Sequence, residues 1–240
     1  MKTNFSAAAL ASPAGGIALA GLLVIAAAAS APAAWAVGDD PVPAPAKGAA
    51  AKDPQDQAKL SYNLGVDDVR KADDFQASAA TATDAGQKDK SARDALTYYS
   101  LALRKFQQAV QFDPKLYQAW NYVGYTHRKL GDYDDALGAY EQALALKPDY
   151  PEAIEYRAEA FLALNRIPDA QKAYLDLFAS NRAAAGKLLD AMKTWVTAQR
   201  STAGGDQKTA TDLDKWVQER SQIAAQTAGL TRQGTFEAWR

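Results

Sequence analysis

The feature that most constrains the fold of this 240-residue chain is an internal repeat with a period of 34 residues. Small residues, aromatic residues and prolines each recur at this spacing. The recurring sets are Ala102, Ala136 and Ala170; Phe106, Tyr140 and Tyr174; Ala109, Ala143 and Leu177; and Pro114 and Pro148. Several columns in register at one period indicate a fold made by stacking copies of one supersecondary unit, each contacting only its neighbours.

Each copy is predicted to be a pair of antiparallel helices. Gly124 and Ala136 are small where the two helices should cross closely, and Tyr140 is expected to fill the space beside that crossing. Gly131 can end the first helix in a left-handed cap, and Pro148 can end the second helix because the residue before a proline avoids helical geometry. The predicted repeat core consists of Trp120, Gly124, Ala136, Tyr140, Ala143, Pro148, Ala170 and Tyr174.

The middle copy, residues 117–150, carries a recognisable motif. It reads Trp120-x-x-Val123-Gly124-x-x-His127, then Ala136-x-x-x-Tyr140-x-x-Ala143, then Pro148. This pattern resembles the tetratricopeptide repeat (TPR), with His127 where that family usually has tyrosine. The resemblance implies an all-α fold: a right-handed superhelical solenoid of about three helix-turn-helix repeats with a C-terminal helical cap.

The copies on either side match less well. Residues 57–116 are interpreted as an extended first repeat, because Gly65 and Ala102 are 37 residues apart where Gly124 and Ala136 are 12 apart. The added length predicts two long helices, about 57–78 and 91–112, joined by a polar turn at 79–90, which form either a protruding arm or an N-terminal cap. Residues 151–184 are a degenerate repeat, 185–228 are predicted capping helices and 229–240 a tail.

The N-terminal 36 residues have the order of a secretory signal peptide. Lys2 precedes a small, apolar stretch that is densest at 16–29, and Ala34-Trp35-Ala36 supplies a small-x-small cleavage pattern, so cleavage is predicted after Ala36. An uncleaved membrane anchor is the alternative. Residues 37–56 are expected to be a disordered Pro/Ala-rich linker. We therefore expect an exported protein, with the periplasm as its compartment.

Composition excludes several classes of function. With 27 basic and 28 acidic residues the chain carries a net charge of −1, which disfavours nucleic-acid binding. It has no cysteine and one histidine, so thiolate chemistry and multi-histidine metal sites within one chain are not available. We predict no catalytic residues, no metal site and no cofactor, and we expect His127 to be packed or hydrogen-bonded.

The resemblance also implies where a partner would bind. In tetratricopeptide proteins the concave face is lined by fixed positions of the first helix of each repeat, and here those positions give a partner-binding groove of Gln118, Asn121, Tyr125, Arg128, Lys129, Glu152, Glu155 and Glu159. The implied function is a non-catalytic protein–protein interaction scaffold or adaptor of the bacterial cell envelope, which holds a peptide or partner helix. The alternative is a self-associating structural subunit that uses the long first hairpin and the C-terminal helices with Trp195 and Trp216.

Overall fold

The computed structural model describes residues 53–233, with side chains described for 53–227. This part of the chain is all-helical and contains eight helices. They are α1 (Pro54–Thr81), α2 (Ala85–Phe112), α3 (Tyr117–Leu130), α4 (Tyr133–Leu146), α5 (Pro151–Ala163), α6 (Ile167–Ser180), α7 (Arg182–Ser201) and α8 (Gln207–Gln233). Consecutive helices pack in pairs, and each pair packs on the next, which confirms the predicted helical solenoid.

The helices form two layers. Helix α3 contacts α5, and α5 contacts α7, as well as the partner within each pair. Helix α1 reaches α3 through the rings of Tyr62 and Tyr122, whose centroids are 5.6 Å apart. We call α1, α3, α5 and α7 the inner layer and α2, α4, α6 and α8 the outer layer. Any groove that runs along the solenoid is therefore lined by odd-numbered helices.

A small residue under an aromatic ring fixes how the two helices of a pair cross. A Cβ added at Gly124 would lie 2.6 Å from Cε1 of Tyr140, which confirms the predicted crossing. A Cβ at Gly65 would lie 2.7 Å from Cε1 of Phe106, so the extended first pair crosses in the same way. Both aromatic side chains are fully buried.

Most of the remaining predicted core positions are buried, but Pro148 is exposed and is not a core residue, because it lies in the turn that follows α4. Ala136, Ala143 and Ala170 are fully buried and Tyr174 is 1% exposed. Trp120 is half-buried, and its Nε1 donates a hydrogen bond to the carbonyl oxygen of Pro114 (3.0 Å). These contacts join each pair to its neighbours.

The helix ends follow the local sequence. Gly131 ends α3 in the left-handed region, with φ at 93°. Asn165, 34 residues later, has φ at 57° just after α5, since asparagine tolerates this conformation better than other residues with side chains. Helix α4 ends at Leu146, so the stop signal before Pro148 is confirmed.

The first hairpin is longer and more tightly turned than expected. Helices α1 and α2 have 28 residues each, and only residues 82–84 separate them, so the predicted polar turn at 79–90 is wrong. Asp84 starts α2 early because its side chain accepts a hydrogen bond from the backbone N–H of Gln87 (2.7 Å). Each helix is about 42 Å long, against about 21 Å for α3.

The outer boundaries also differ from the prediction. Helix α1 begins at Pro54, inside the predicted 37–56 linker, because Asp53 caps it and proline is well accommodated in the first turn. Helix α7 begins at Arg182, and α8 continues to Gln233, inside the predicted 229–240 tail. The predicted signal peptide (1–36) and residues 37–52 of the linker lie outside the described residues.

The C-terminal pair is joined to the solenoid by a continuous apolar core. Trp195 is fully buried there, with Met192 and Leu213. Trp216 is half-buried and packs edge-on against Tyr174, with centroids 5.2 Å apart. The expectation that Trp195 lies at a self-association surface is therefore wrong, because the side chain is used to hold the capping helices in place.

Candidate functional site: the inner groove

The predicted groove residues occupy one stripe on α3 and one on α5. Gln118, Asn121, Tyr125 and Arg128 follow helical spacing along α3, and Glu152, Glu155 and Glu159 follow it along α5. Two contacts join the stripes: the rings of Tyr125 and Tyr156 are 5.3 Å apart, and Nη1 of Arg128 donates to Oε2 of Glu159. The structure thus brings both stripes together across the α3–α5 boundary.

Four tyrosines form a continuous row across three inner helices. We call Tyr62, Tyr122, Tyr125 and Tyr156 the tyrosine row; all four are half-buried. Successive ring centroids lie 5.6, 6.1 and 5.3 Å apart, within the range of favourable aromatic contacts. Burial is the largest cause that raises the pKa of Tyr62 and of Tyr156, each to about 12, so both are neutral hydroxyls at physiological pH.

A carboxylate on α1 binds Tyr125, an inner member of this row. The hydroxyls of Tyr99 and Tyr125 both donate to Oδ1 of Asp73, the latter at 2.9 Å. Burial, followed by Asp73, raises the pKa of both tyrosines. Asp73 ties α2 and α3 to α1, a role that sequence reasoning missed because the extension of the first hairpin lies outside the 34-residue register.

The side chain of Lys129 makes contacts within the protein. Its Nζ donates to Oε1 of Gln76 (2.7 Å) and lies 5.7 and 5.4 Å from the ring centroids of Tyr99 and Tyr125. Burial, followed by the charge of Arg128, lowers the pKa of Lys129. The side chain therefore packs on the inner layer and is not a freely projecting cation.

Arg128 connects two repeats. Its guanidinium pairs with Glu159 and lies 5.3 and 5.4 Å from the ring centroids of Tyr125 and Tyr156. The side chain is only 13% exposed. Burial opposes its charge, but Glu159 and nearby tyrosines outweigh burial and raise its pKa. Replacement of Tyr125 and Arg128 is therefore expected to reduce stability as well as to change the groove.

The other residues of the α5 stripe are less well paired. Glu152 is exposed and Glu155 is buried. The nearest cation to Glu155 is Lys187 of α7, whose Nζ is 3.9 Å from Oε2. Burial is the main cause that raises the pKa of Glu155 to about 7. Across the boundary, Asn121 is buried, and its Oδ1 has no hydrogen-bond donor among the described residues.

His127, the single histidine of the chain, makes a local contact near the end of α3. His127 is largely buried, with Nδ1 3.4 Å from Oδ2 of Asp132, as expected of a packed or hydrogen-bonded histidine. In residues 53–227, no group of three or more His, Asp or Glu side chains is arranged to hold a metal ion. None of the helices in the described range has the length and apolar character needed to cross a membrane.

The model of the tetratricopeptide repeat family matches residues 117–150, which form the α3–α4 pair. The chain contains a tetratricopeptide repeat. This match confirms the resemblance inferred from Trp120, Gly124, Ala136 and Tyr140. The first pair, α1–α2, has the same packing of a glycine against a buried aromatic ring, and in α5–α6 both Ala158 and Tyr174 are buried.

Comparison with other proteins adds one structure. The crystal structure of the MamA protein is similar to this chain at 16% sequence identity and a TM-score of 0.38, over 71% of this chain and 95% of that one. No curated protein matches the chain.

Proposed function

We propose that this TPR protein is a non-catalytic interaction scaffold of the bacterial cell envelope, which binds a peptide or a partner helix in its inner groove. The observation that carries the proposal is the tyrosine row. It places four half-buried rings side by side across α1, α3 and α5. Tyrosine supplies large, rigid contact area with a polar tip, which is why it is common at binding surfaces.

Charged residues line the groove on both sides. The exposed Arg70 lies on α1, where it pairs with Asp67, and the exposed Glu152 lies on α5. Between them, Arg128 pairs with Glu159. Charged groups at a binding surface contribute more to specificity and to the rate of association than to affinity.

Two further observations favour binding over catalysis. The chain has no cysteine and a single histidine, and that histidine faces Asp132 at the end of α3, away from the tyrosine row. Among the described residues, Glu155 is the only carboxyl group whose pKa is strongly raised; of the two carboxylates that act on it, Glu152 is exposed and Glu159 is held by Arg128. Glu155 is therefore better suited to accept a hydrogen bond from a bound partner than to transfer a proton.

Affinity capture tests the proposal. The purified chain serves as bait in the envelope fraction, beside a variant with Gln118→Arg and Glu152→Lys at the groove. The matched control carries Gln142→Arg and Glu141→Lys on the exposed side of α4, the same residue types and the same charge change. We expect the chain and the control to capture the same partner and the groove variant to lose it. Equal capture by all three would refute groove binding.

The envelope location has its own test. It rests on the charge and hydropathy pattern of residues 1–36, which predicts export and cleavage after Ala36. Mass spectrometry of the intact protein recovered from the periplasm should give the mass of 37–240. Recovery of the unprocessed chain would contradict cleavage and favour the membrane-anchor alternative.

Self-association remains the second candidate function. It is favoured by Leu60 and Leu64 on α1, which are 52% and 43% exposed and lie one helical turn apart. Sedimentation of the purified chain over a range of concentrations separates the two candidates, since a scaffold that binds other proteins is expected to keep a constant mass.

A further inference from the structure

On the inner layer, one buried amide oxygen lacks the donor that burial normally requires, and one buried carboxylate has only a distant cation. Asn121 is 2% exposed and its Oδ1 has no donor among the described residues. Glu155 is 4% exposed, and its nearest cationic atom, Nζ of Lys187, is 3.9 Å away, beyond hydrogen-bond length. Buried carboxylates and amide oxygens are nearly always satisfied in folded proteins, so this pair calls for an explanation.

The register of α3 against α5 places Asn121 and Glu155 close together along the boundary of the two helices. The contacts Tyr125–Tyr156 and Arg128–Glu159 each join residues that are 31 positions apart, which fixes the register of α3 against α5. The same offset places Asn121 opposite Glu152, one helical turn from Glu155. Asn121 also belongs to the α3 stripe that faces α5, one turn before Tyr125. We call the region bounded by Asn121, Glu152 and Glu155 the acidic recess.

The charges around the acidic recess do not balance. The groups that act on Glu155 are the cations Lys187 and Arg128 and the carboxylates Glu159 and Glu152. Arg128 is committed to Glu159, and Lys187 is 67% exposed and too distant to donate a hydrogen bond. The three carboxylates Glu152, Glu155 and Glu159 therefore face two cations, Lys187 and Arg128. One carboxylate has no cation even when Lys187 is counted as a full partner. Burial is the main cause that raises the pKa of Glu155, and the cations Lys187 and Arg128 only partly oppose it.

The ligand that would satisfy this region is defined by its chemistry. It must donate hydrogen bonds, carry positive charge and be narrow enough to enter between two helices. The ring of Tyr156 lies next to Glu155 in sequence and already accepts the guanidinium of Arg128 on its face, so an additional cation would meet favourable aromatic surface. A lysine ammonium or an arginine guanidinium has all of these properties.

We propose that the acidic recess binds a lysine or arginine side chain of the partner segment that occupies the inner groove. This rests on the proposed function, because Asn121, Glu152 and Glu155 belong to the stripes that line the proposed groove. In the protein without a partner, the ammonium group of Lys187 on α7 partly neutralises the carboxylates of the recess. It moves into solvent when the partner's cation binds. Asn121 and Glu155 accept hydrogen bonds from that cation, and Glu152 adds negative charge at the rim.

A peptide selection tests the proposal. The purified chain is immobilised, and a phage-displayed library of random peptides is selected against it. Recovered peptides are then measured by fluorescence anisotropy against the chain and three variants: Glu155→Gln, Lys187→Met and Glu219→Gln. The last makes the same chemical change on the exposed surface of α8. Far-UV circular dichroism checks that each variant is folded.

We expect lysine or arginine to be enriched at one position of the recovered peptides. Affinity should fall at least about tenfold in Glu155→Gln, since a charge-assisted hydrogen bond is lost. It should stay unchanged in Glu219→Gln and rise about twofold or more in Lys187→Met, where the competing ammonium is gone. Replacing the enriched peptide residue by methionine should abolish the difference between the chain and Glu155→Gln.

The contrary outcomes are distinct. Peptides that bind without any enriched basic residue, or basic peptides that bind Glu155→Gln as tightly as the unchanged chain, would overturn the acidic recess and leave groove binding standing. Failure of every peptide to bind would overturn groove binding and the recess together.

Discussion

Adding one methyl group at Gly124 tests the helix crossing on which the solenoid depends. A Cβ there would lie 2.6, 2.7 and 2.9 Å from Cε1, Cδ1 and Cζ of Tyr140. Carbon atoms normally approach to about 3.5–4.0 Å, so the ring or the helix must move by about 1 Å. Tyr140 is fully buried, so its ring can move only by displacing neighbouring atoms of the core. Overpacking of this kind costs about 1–3 kcal/mol.

A matched glycine isolates this cost. Gly138 lies in the middle of α4, is exposed, and has nothing within 4 Å of an added Cβ. Replacing glycine by alanine in a helix interior gains about 0.5–1 kcal/mol, and both sites receive that gain. Gly138→Ala should therefore raise stability, and Gly124→Ala should be less stable than Gly138→Ala by about 1–3 kcal/mol.

Urea unfolding followed by far-UV circular dichroism measures the difference. A third protein, Gly124→Ala with Tyr140→Leu, removes the ring that the methyl group meets. Its loss of stability should be smaller than the sum of the two single losses, as expected for residues in direct contact. If Gly124→Ala is stabilised as much as Gly138→Ala, the ring of Tyr140 does not lie against Gly124 and the reasoning about the crossing is refuted.

Three more predictions concern the inner groove. Burial gives Glu155 a pKa of about 7 in the folded protein against 4.5 as its ordinary value, so the folded state binds more protons and stability falls as pH rises from about 4.5 to about 7. Glu155→Gln should remove the part of the pH-dependent fall in the urea midpoint that Glu155 causes. If the midpoints of the unchanged chain and of the variant fall in parallel with pH, the prediction is contradicted. Arg128→Met should destabilise the chain by about 2–3 kcal/mol, because Glu159 loses its cation, and an unchanged urea midpoint would argue against the pair. Tyr125→Phe should lower the free energy of unfolding by about 1 kcal/mol, because the hydrogen bond to Asp73 is lost. An unchanged free energy of unfolding would show that this bond is absent in solution.

The repeat architecture could be predicted because its signal lies in the spacing of small and aromatic residues. Gly124 and Tyr140 are recognisable from the 34-residue register, and the structure places them in contact. The same logic identified Gly65 despite the longer first hairpin. The turn at 82–84 was missed because Gln87, Lys88 and their neighbours are polar, and a polar stretch suits an exposed helix as well as a turn.

The site was predicted less completely because partners across helices are not encoded in local spacing. The stripe that contains Asn121 and Arg128 follows from the repeat, but the capture of Arg128 by Glu159 depends on how α3 and α5 are aligned. Asp73 was missed for a related reason. It lies in the C-terminal half of α1, in the extension of the first hairpin, where no second copy of the repeat exists to show its position.

The central claim is that a partner protein lies against the inner layer, and site-specific photo-crosslinking tests it most directly. A photoreactive amino acid replaces Gln118 of α3 in one protein and Gln142 of α4 in another, both expressed in the native cell. We predict that the Gln118 position forms a crosslinked adduct with a different protein and that the Gln142 position does not. Adducts from Gln142 alone, or adducts from both positions that contain only this chain, would contradict the proposed groove.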